Sequence, residues 1–354
     1  MKIGLLVTNL KGGGAEKAIL KLAQGLLARS HDVRVIILER KIEYITNIKP
    51  HVVNEDGIGK GYFGKRKTAR KLRLLYDFLS REQEFDLIIS TLPYADEIAH
   101  LAKIPNIWHR IADSLSAELQ ELEKTNRNKA KRRLKRYRRL YSNKNLIAVS
   151  HGVKDDMTNQ LNIEANIQVI HNIYPRETIE RLSNAPHSFA EPYIIHAGRF
   201  SPQKRHDILF EAFKLADTSY KLVLLTEETP ELKQLIQAQG LAGKVFIAGF
   251  QENPYPWIKA AELLVLSSDH EGLPNVLIEA IILHTKVVST DCPSGPREIL
   301  GNLASTCLAE PNNSERLASK INDAILAQFQ SPNNFDSTFS ADSVLNAYEA
   351  LSQE

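Results

Sequence analysis

Residues 263–280 read LLVLSSDHEGLPNVLIEA: an apolar run, then a loop of small and charged residues, then a second apolar stretch. The run Leu263 to Ser267 is bounded by turn residues and is too short for a helix, so it reads as a buried strand. Gly272 allows a tight turn, and Pro274 fits the first turn of a helix, where its missing N–H costs nothing. A fully apolar strand that passes at once into a helix is the repeating unit of a parallel sheet covered on both faces.

The same alternation extends in both directions. Apolar, β-branched runs at 3–7, 33–38, 87–90, 106–109 and 146–150 are separated by amphipathic helical stretches. After a less regular stretch at 174–191, the rhythm restarts with runs at 193–197, 222–225, 245–248, 263–267 and 287–290. This pattern predicts an α/β protein of two Rossmann-like, doubly wound parallel-sheet domains, spanning residues 1–173 and 174–340. A chain of 354 residues, 43% hydrophobic and 25% charged, is long enough to bury two cores and excludes disordered and collagen-like classes. Two cysteines, Cys292 and Cys307, are too few for a disulfide framework and read as reduced thiols of a cytoplasmic protein. The opening MKIGLLVTNLKGGG stops at glycines without a small-residue cleavage site, so it reads as a first strand and not as a signal peptide. No stretch approaches the roughly 18 uninterrupted apolar residues needed to cross a bilayer.

Ligands of doubly wound sheets bind beyond the carboxyl ends of the strands, so the residues just past each run are the candidates for chemistry. After 263–267, Glu271 and Glu279 stand eight positions apart, one in the loop and one in the helix. The amides of Gly272, Leu273, Asn275 and Val276 at that helix start can face a phosphate while the carboxylates accept hydroxyl hydrogen bonds on either side. That is a nucleotide-sugar cradle in physical terms, against the plainer reading of two carboxylates that only cap and solvate a helix. After 193–197, in HAGRFSPQK, Arg199 and Lys204 supply a planar fork and a compact point charge, a pair suited to a diphosphate, although solvated surface cations would look the same. After 3–7, Gly12, Gly13 and Gly14 open a helix and permit close approach of a ligand or simply a tight turn. The spacing is not G-x-G-x-x-G and no acidic residue ends the next strand, which disfavours a dinucleotide site.

Together, HAGRFSPQK, HEGLPNVLIEA and KGGGAEKAI resemble the retaining glycosyltransferases of family 4. The resemblance implies the GT-B architecture, two Rossmann-like domains facing a central cleft, with a C-terminal helix at about 341–354 packing back on the N-terminal domain. It also implies that Arg199 and Lys204 bind the donor diphosphate, Glu279 the ribose and Glu271 the donor sugar's hydroxyls. Gly249 and Phe250 would lie near the nucleobase, and Gly13 and Gly14 would line the diphosphate from the other domain. His109, which closes the run at 106–109, stands where the family carries a histidine that orients the transferred sugar; a structural histidine is the alternative, and His100 and His151 compete for the role. Retention in the family is described as front-face displacement, in which the leaving phosphate helps deprotonate the acceptor. Its catalytic set here would therefore be His109, Glu271, Arg199 and Lys204. No Asp-x-Asp occurs in the chain, so neither a metal nor any other cofactor is expected, and cations take the role of a metal.

Ten lysines and arginines and no acid lie within residues 124–139, with Leu134, Tyr137, Leu140 and Tyr141 at helical spacing. The segment reads as a basic amphipathic helix resting on an anionic membrane surface, and a second basic patch runs from Lys65 to Arg73. Both belong to the half that would bind the acceptor. The expected reaction is transfer of a sugar, such as N-acetylglucosamine, from a UDP-sugar to a lipid-linked or lipopolysaccharide-core saccharide at the inner face of the cytoplasmic membrane. Competing readings are a nucleotide-sugar hydrolase or epimerase, a non-catalytic partner subunit of the same fold, and a nucleic-acid-binding protein using 124–139. The last is disfavoured because no base-reading motif accompanies the charge.

Overall fold

The computed structural model describes every residue except 12, 44, 45, 60 and 354. The chain divides into two compact units, Met1–Ile173 with Phe339–Glu354, and Tyr174–Thr338. The first unit is built on a parallel sheet of seven strands, β1 (Lys2–Val7), β2 (Asp32–Ile37), β3 (His51–Val52), β4 (Leu87–Thr91), β5 (Ile107–Ile111), β6 (Asn145–Ala148) and β7 (Asn166–Val169), in the order β3-β2-β1-β4-β5-β6-β7. The order reverses between β1 and β4, which is the switch point where such sheets open a crevice at their carboxyl ends. One face of the sheet packs Ile3, Leu5, Leu87, Ile89 and Trp108 against α1 (Gly14–Ala28) and the C-terminal helix Ala341–Ala350. The other face packs Leu6, Ile36 and Ile88 against α2 (Tyr62–Leu79) and α3 (Pro93–Leu101). These strands are apolar on both sides because both sides are covered.

The C-terminal helix is part of the first unit's core. Val344, Leu345, Tyr348 and Leu351 are all buried there. Arg29, at the end of α1, holds it from outside through Asp342 at 2.6 Å and Glu349 at 3.1 Å, and His31 adds a contact to Glu349 at 2.8 Å.

The basic segment is arranged differently from the single helix expected. The backbone of α4 (Leu115–Tyr141) breaks at Asn126 (φ −155°, ψ 87°), whose side chain accepts a hydrogen bond from the Lys129 amide and starts a second arm. Glu118 on the first arm meets Arg133 and, at 2.7 Å, the Tyr137 hydroxyl on the second. In one straight helix Glu118 and Tyr137 would stand about 28 Å apart, so α4 is a helical hairpin. Its apolar stripe faces inward: Tyr137, Leu140 and Tyr141 are buried in the first unit. The stripe therefore does not face outward as the membrane-helix reading required. The exposed surface of the second arm carries Lys129, Lys131, Arg132, Lys135 and Arg139, none paired with an acid among the described residues.

The second unit has a six-stranded parallel sheet, β8 (Tyr193–Ala197), β9 (Lys221–Leu225), β10 (Val245–Ile247), β11 (Leu263–Leu266), β12 (Lys286–Thr290) and β13 (Leu308–Ala309), ordered β10-β9-β8-β11-β12-β13. Ile194, Leu222, Leu224, Leu263, Val265 and Val288 meet the helices His206–Leu215 and Ser314–Leu326 on one face. The switch point falls between β8 and β11, the two strands whose trailing loops carry the conspicuous motifs. No helix among the described residues is long and apolar enough to cross a membrane.

Candidate functional site

The loop after β8 is held by its own backbone demands. Gly198 lets the aliphatic stem of Lys204 fold over it, since a Cβ there would stand 3.3 Å from Lys204 Cε. Arg205 turns the chain with φ +47° and fastens the turn to the next loop, pairing with Asp207 at 2.7 Å and Asp269 at 3.0 Å. Further bonds join the loops after β8 and β11: Ser267 Oγ to Lys204 O at 2.7 Å, the Asp269 amide to Gln203 O at 2.9 Å, and Gln203 Nε2 to His270 O at 2.8 Å. Two loops far apart in sequence thus behave as one surface at the switch point.

On that surface Lys204 Nζ lies 2.5 Å from Glu271 Oε1, and the Ser268 hydroxyl donates to the same oxygen at 2.6 Å. The Glu271 carboxylate is 10% exposed and the Lys204 ammonium 17%, so each charge depends on the other for its desolvation. Arg199 is exposed and makes no ion pair or side-chain hydrogen bond among the described residues. Eight residues beyond Glu271, Glu279 sits in the second turn of the helix Asn275–Ile282, buried, and accepts a hydrogen bond from the Tyr255 hydroxyl at 3.1 Å. Burial and the adjacent Glu279 charge push the Tyr255 hydroxyl well above its ordinary pKa, keeping it a proton donor.

The helix Asn275–Ile282 begins after Pro274, and its first turn is bonded from the Leu277 amide to Pro274 O. The amides of Asn275 and Val276 therefore precede the helical ladder, at the positive end of the helix dipole. Asn275 is oriented by the Tyr174 hydroxyl at 2.6 Å, while Gly272 and Leu273 are buried beneath the turn. Gly295 supports the turn from below. Its φ is +92°, and a Cβ there would overlap Pro274 Cδ and stand 3.2 Å from Gly272 O. Gly249, with φ +80°, swings the chain so that Phe250 is 55% exposed after β10.

Under the loop lie two histidines. His196 is fully buried on β8, and its Nδ1 lies 2.9 Å from Val265 O, an acceptor that fixes the proton on Nδ1. Its ring meets that of His206 at 4.7 Å. Burial lowers both imidazoles, with the Lys204 charge contributing, and holds His206 at about 4. Neither carries a proton charge at neutral pH. The Cys292 thiol is pushed up by burial and by Glu271, which leaves it unreactive.

In the first unit, Gly13 caps α1 with extended backbone, and a Cβ on it would overlap the Glu16 carboxylate; Gly14 is the helix's first residue, and Gly12 lies outside the described residues. His109 lies within β5, not past its end. Its ring is 2% exposed, with Nδ1 2.7 Å from Ser90 Oγ and 3.3 Å from Asp96 Oδ1, and Tyr141 donates to the other Asp96 oxygen at 2.7 Å. The structure thus brings Lys204, Glu271, Gly272, Leu273 and Asn275 onto one surface, with Glu279 one turn further on, and sets His109 in an interior hydrogen-bond network. Sequence reasoning missed Ser268, Tyr255 and Gly295. Only Ser268 had a local signal, as a small hydroxyl at a strand's carboxyl end. No cluster of three or more His, Cys, Asp or Glu able to hold a metal occurs among the described residues.

Residues 180–338 match the family described as Glycosyl transferases group 1, and residues 12–177 match Glycosyltransferase Family 4. The chain is 28% identical, over 88% of its own length and 87% of the other's, to N-acetylgalactosamine-N,N'-diacetylbacillosaminyl-diphospho-undecaprenol 4-alpha-N-acetylgalactosaminyltransferase of Campylobacter jejuni. It is 30% identical to lipopolysaccharide 1,6-galactosyltransferase of Escherichia coli, over 51% of this chain and 52% of that one. Among solved structures, that of a Staphylococcus aureus TarM variant in complex with fondaparinux, alpha-GlcNAc-glycerol and UDP aligns over all of both chains with a TM-score of 0.76 at 16% identity, which shows a shared GT-B fold.

Proposed function

Because the chain belongs to the glycosyltransferases, a family 4 domain followed by a group 1 domain, we propose that it moves a sugar from a UDP-sugar bound on the second unit to a lipid-linked or lipopolysaccharide-core saccharide, with retention of configuration. The observation that carries this reading is the Lys204–Glu271–Ser268 cluster at the start of the helix that also bears Glu279. It offers an anchored cation and helix amides for a diphosphate, with a carboxylate on each side for hydroxyls. Exposed Arg199 supplies a second cation to stabilise the departing diphosphate, so that positioning and electrostatics do the catalytic work without a metal. Glu271, already engaged by a lysine and a serine, acts as a hydrogen-bond acceptor for the donor sugar and not as a nucleophile. Phe250 and Gly249 flank the base.

The first unit takes the acceptor, and the acceptor's class is supported by the two relatives, one named for a diphospho-undecaprenol saccharide and one for lipopolysaccharide. Its contact with the inner face of the cytoplasmic membrane is electrostatic, through the free cations of the α4 hairpin, with Tyr62 and Phe63 at the head of α2 as exposed aromatic anchors at 62% and 84%. The test is calorimetric titration with UDP-, GDP-, ADP- and CMP-sugars, starting with UDP-N-acetylglucosamine. One UDP-sugar binds the native protein, and Glu279→Ala and Arg199→Ala each weaken it about 10- to 100-fold, as expected for charge-assisted hydrogen bonds. Binding of no sugar nucleotide by the native chain refutes the assignment.

A further inference from the structure

Among the described residues, Arg110 is a buried cation without a counter-ion. It lies on β5, 2% exposed, on the same sheet face as Trp108, two residues before it. Its guanidinium donates to Asn172 Oδ1 and lies against the Tyr348 hydroxyl, both neutral groups. No acid pairs with it among the described residues, and Nη1 has no hydrogen-bond partner. Beside it, Thr91 is the last residue of β4 and the in-register neighbour of Arg110, so the two side chains share a face. The Thr91 hydroxyl is also fully buried and unpartnered. Two donors left unmade next to each other are costly, and an uncompensated buried charge more so.

Their place in the fold points to a use. Asn172 lies three residues past the carboxyl end of β7, and its bond to Arg110 ties the guanidinium to the loops at that end of the sheet, where ligands of doubly wound folds bind. Thr91 ends the strand that forms one side of the β1/β4 switch point. Leu92, which follows it, has φ +80°, a conformation that costs a leucine energy.

We propose that Arg110 and Thr91 form an oxyanion site in the first unit that takes a phosphoryl group. The guanidinium supplies the charge and one N–H, the threonine hydroxyl a second donor, and the bound phosphoryl oxygens satisfy both while neutralising the cation. The site is separate from the cations Arg199 and Lys204 of the second unit. It does not depend on the donor reading.

The test is thermal unfolding of the full chain with inorganic phosphate against sodium chloride at matched ionic strength, in a background carrying Arg199→Ala and Lys204→Ala so that the second unit's cations do not contribute. Phosphate raises the melting temperature of this background by mass action. Arg110→Met melts higher than its parent without phosphate, because a lone buried charge has gone, and no longer responds to phosphate. Thr91→Val keeps the fold and weakens the phosphate response about ten-fold, which carries the test should Arg110→Met fail to fold. A background that phosphate does not stabilise overturns the proposal, as does a Thr91→Val protein that responds as its parent does. Acetate stabilising as strongly as phosphate overturns the assignment to phosphoryl groups. Loss of UDP-sugar binding elsewhere leaves these outcomes unchanged, so the two readings fail independently.

Discussion

Two adjacent imidazoles under a lysine make the second unit's loop sensitive to acid. His206 titrates at about 4 in the fold against 6.5 for the free side chain, so the fold favours the neutral ring. That preference contributes fully above pH 6.5 and is lost as pH falls through about 4. The difference corresponds to about 3 kcal/mol. Urea unfolding of the native protein should therefore show stability declining from pH 6.5 to 4, and His206→Phe, which keeps a ring among Phe200, Phe210 and His196, should flatten much of that decline. An unchanged slope in the variant would assign the effect elsewhere. At this scale the charged residues were legible, because Arg199, Lys204 and Glu271 follow strand ends and Glu279 lies in the helix that comes next. It could not show that Ser268 and Lys204 converge on one Glu271 oxygen, or that Tyr255 reaches Glu279 from 24 positions away. Those are consequences of strand order.

Among elements, long apolar strands were legible and short or polar ones were not. β3 and β13 have two residues each, and β7, Asn-Ile-Gln-Val at the sheet edge, alternates where the central strands are uniformly apolar. The strand β5 runs two residues beyond the apolar run read from sequence, because buried Arg110 continues it, and this is why His109 falls inside the strand. The basic segment misled for a related reason. Periodicity reports that one face of a helix is apolar but not what covers it, and here the unit's own core covers Tyr137, Leu140 and Tyr141. The start of the helix Asn275–Ile282 rests on one backbone requirement. Gly295→Ala adds a methyl group that meets Pro274 and imposes a left-handed conformation on alanine, so a loss of about 2 kcal/mol or more is expected. Denaturant midpoints will measure it, and weakened sugar-nucleotide binding at a temperature where the variant remains folded will show that the turn, not only the fold, has moved.

For the whole molecule, the first unit is discontinuous, completed by Phe339–Glu354 after the chain has built all of the second. Removing residues 339–354 strips Val344, Leu345, Tyr348 and Leu351 from the core. At about 2 kcal/mol for each buried side chain, the loss approaches the full stability of an ordinary domain. Calorimetry on the truncated chain should show the second unit's transition near its native temperature and the first unit's lowered or absent; equal loss of both would mean that the units do not melt separately. The strand rhythm made the two domains readable from sequence and the family resemblance implied the returning helix, whereas the Arg29 and His31 contacts that hold it lie more than 300 residues from their partners and leave no local trace.

The returning helix also sets an order of events on the ribosome. Domains made first ordinarily finish folding first. Here the half synthesised first cannot close its core until residues 339–354 emerge, while the half synthesised second holds all of its own core and can settle earlier. Until residues 339–354 emerge, this face of β1, β4 and β5 is covered by α1 alone, so a chain stalled before them would present part of that apolar surface to chaperones and proteases.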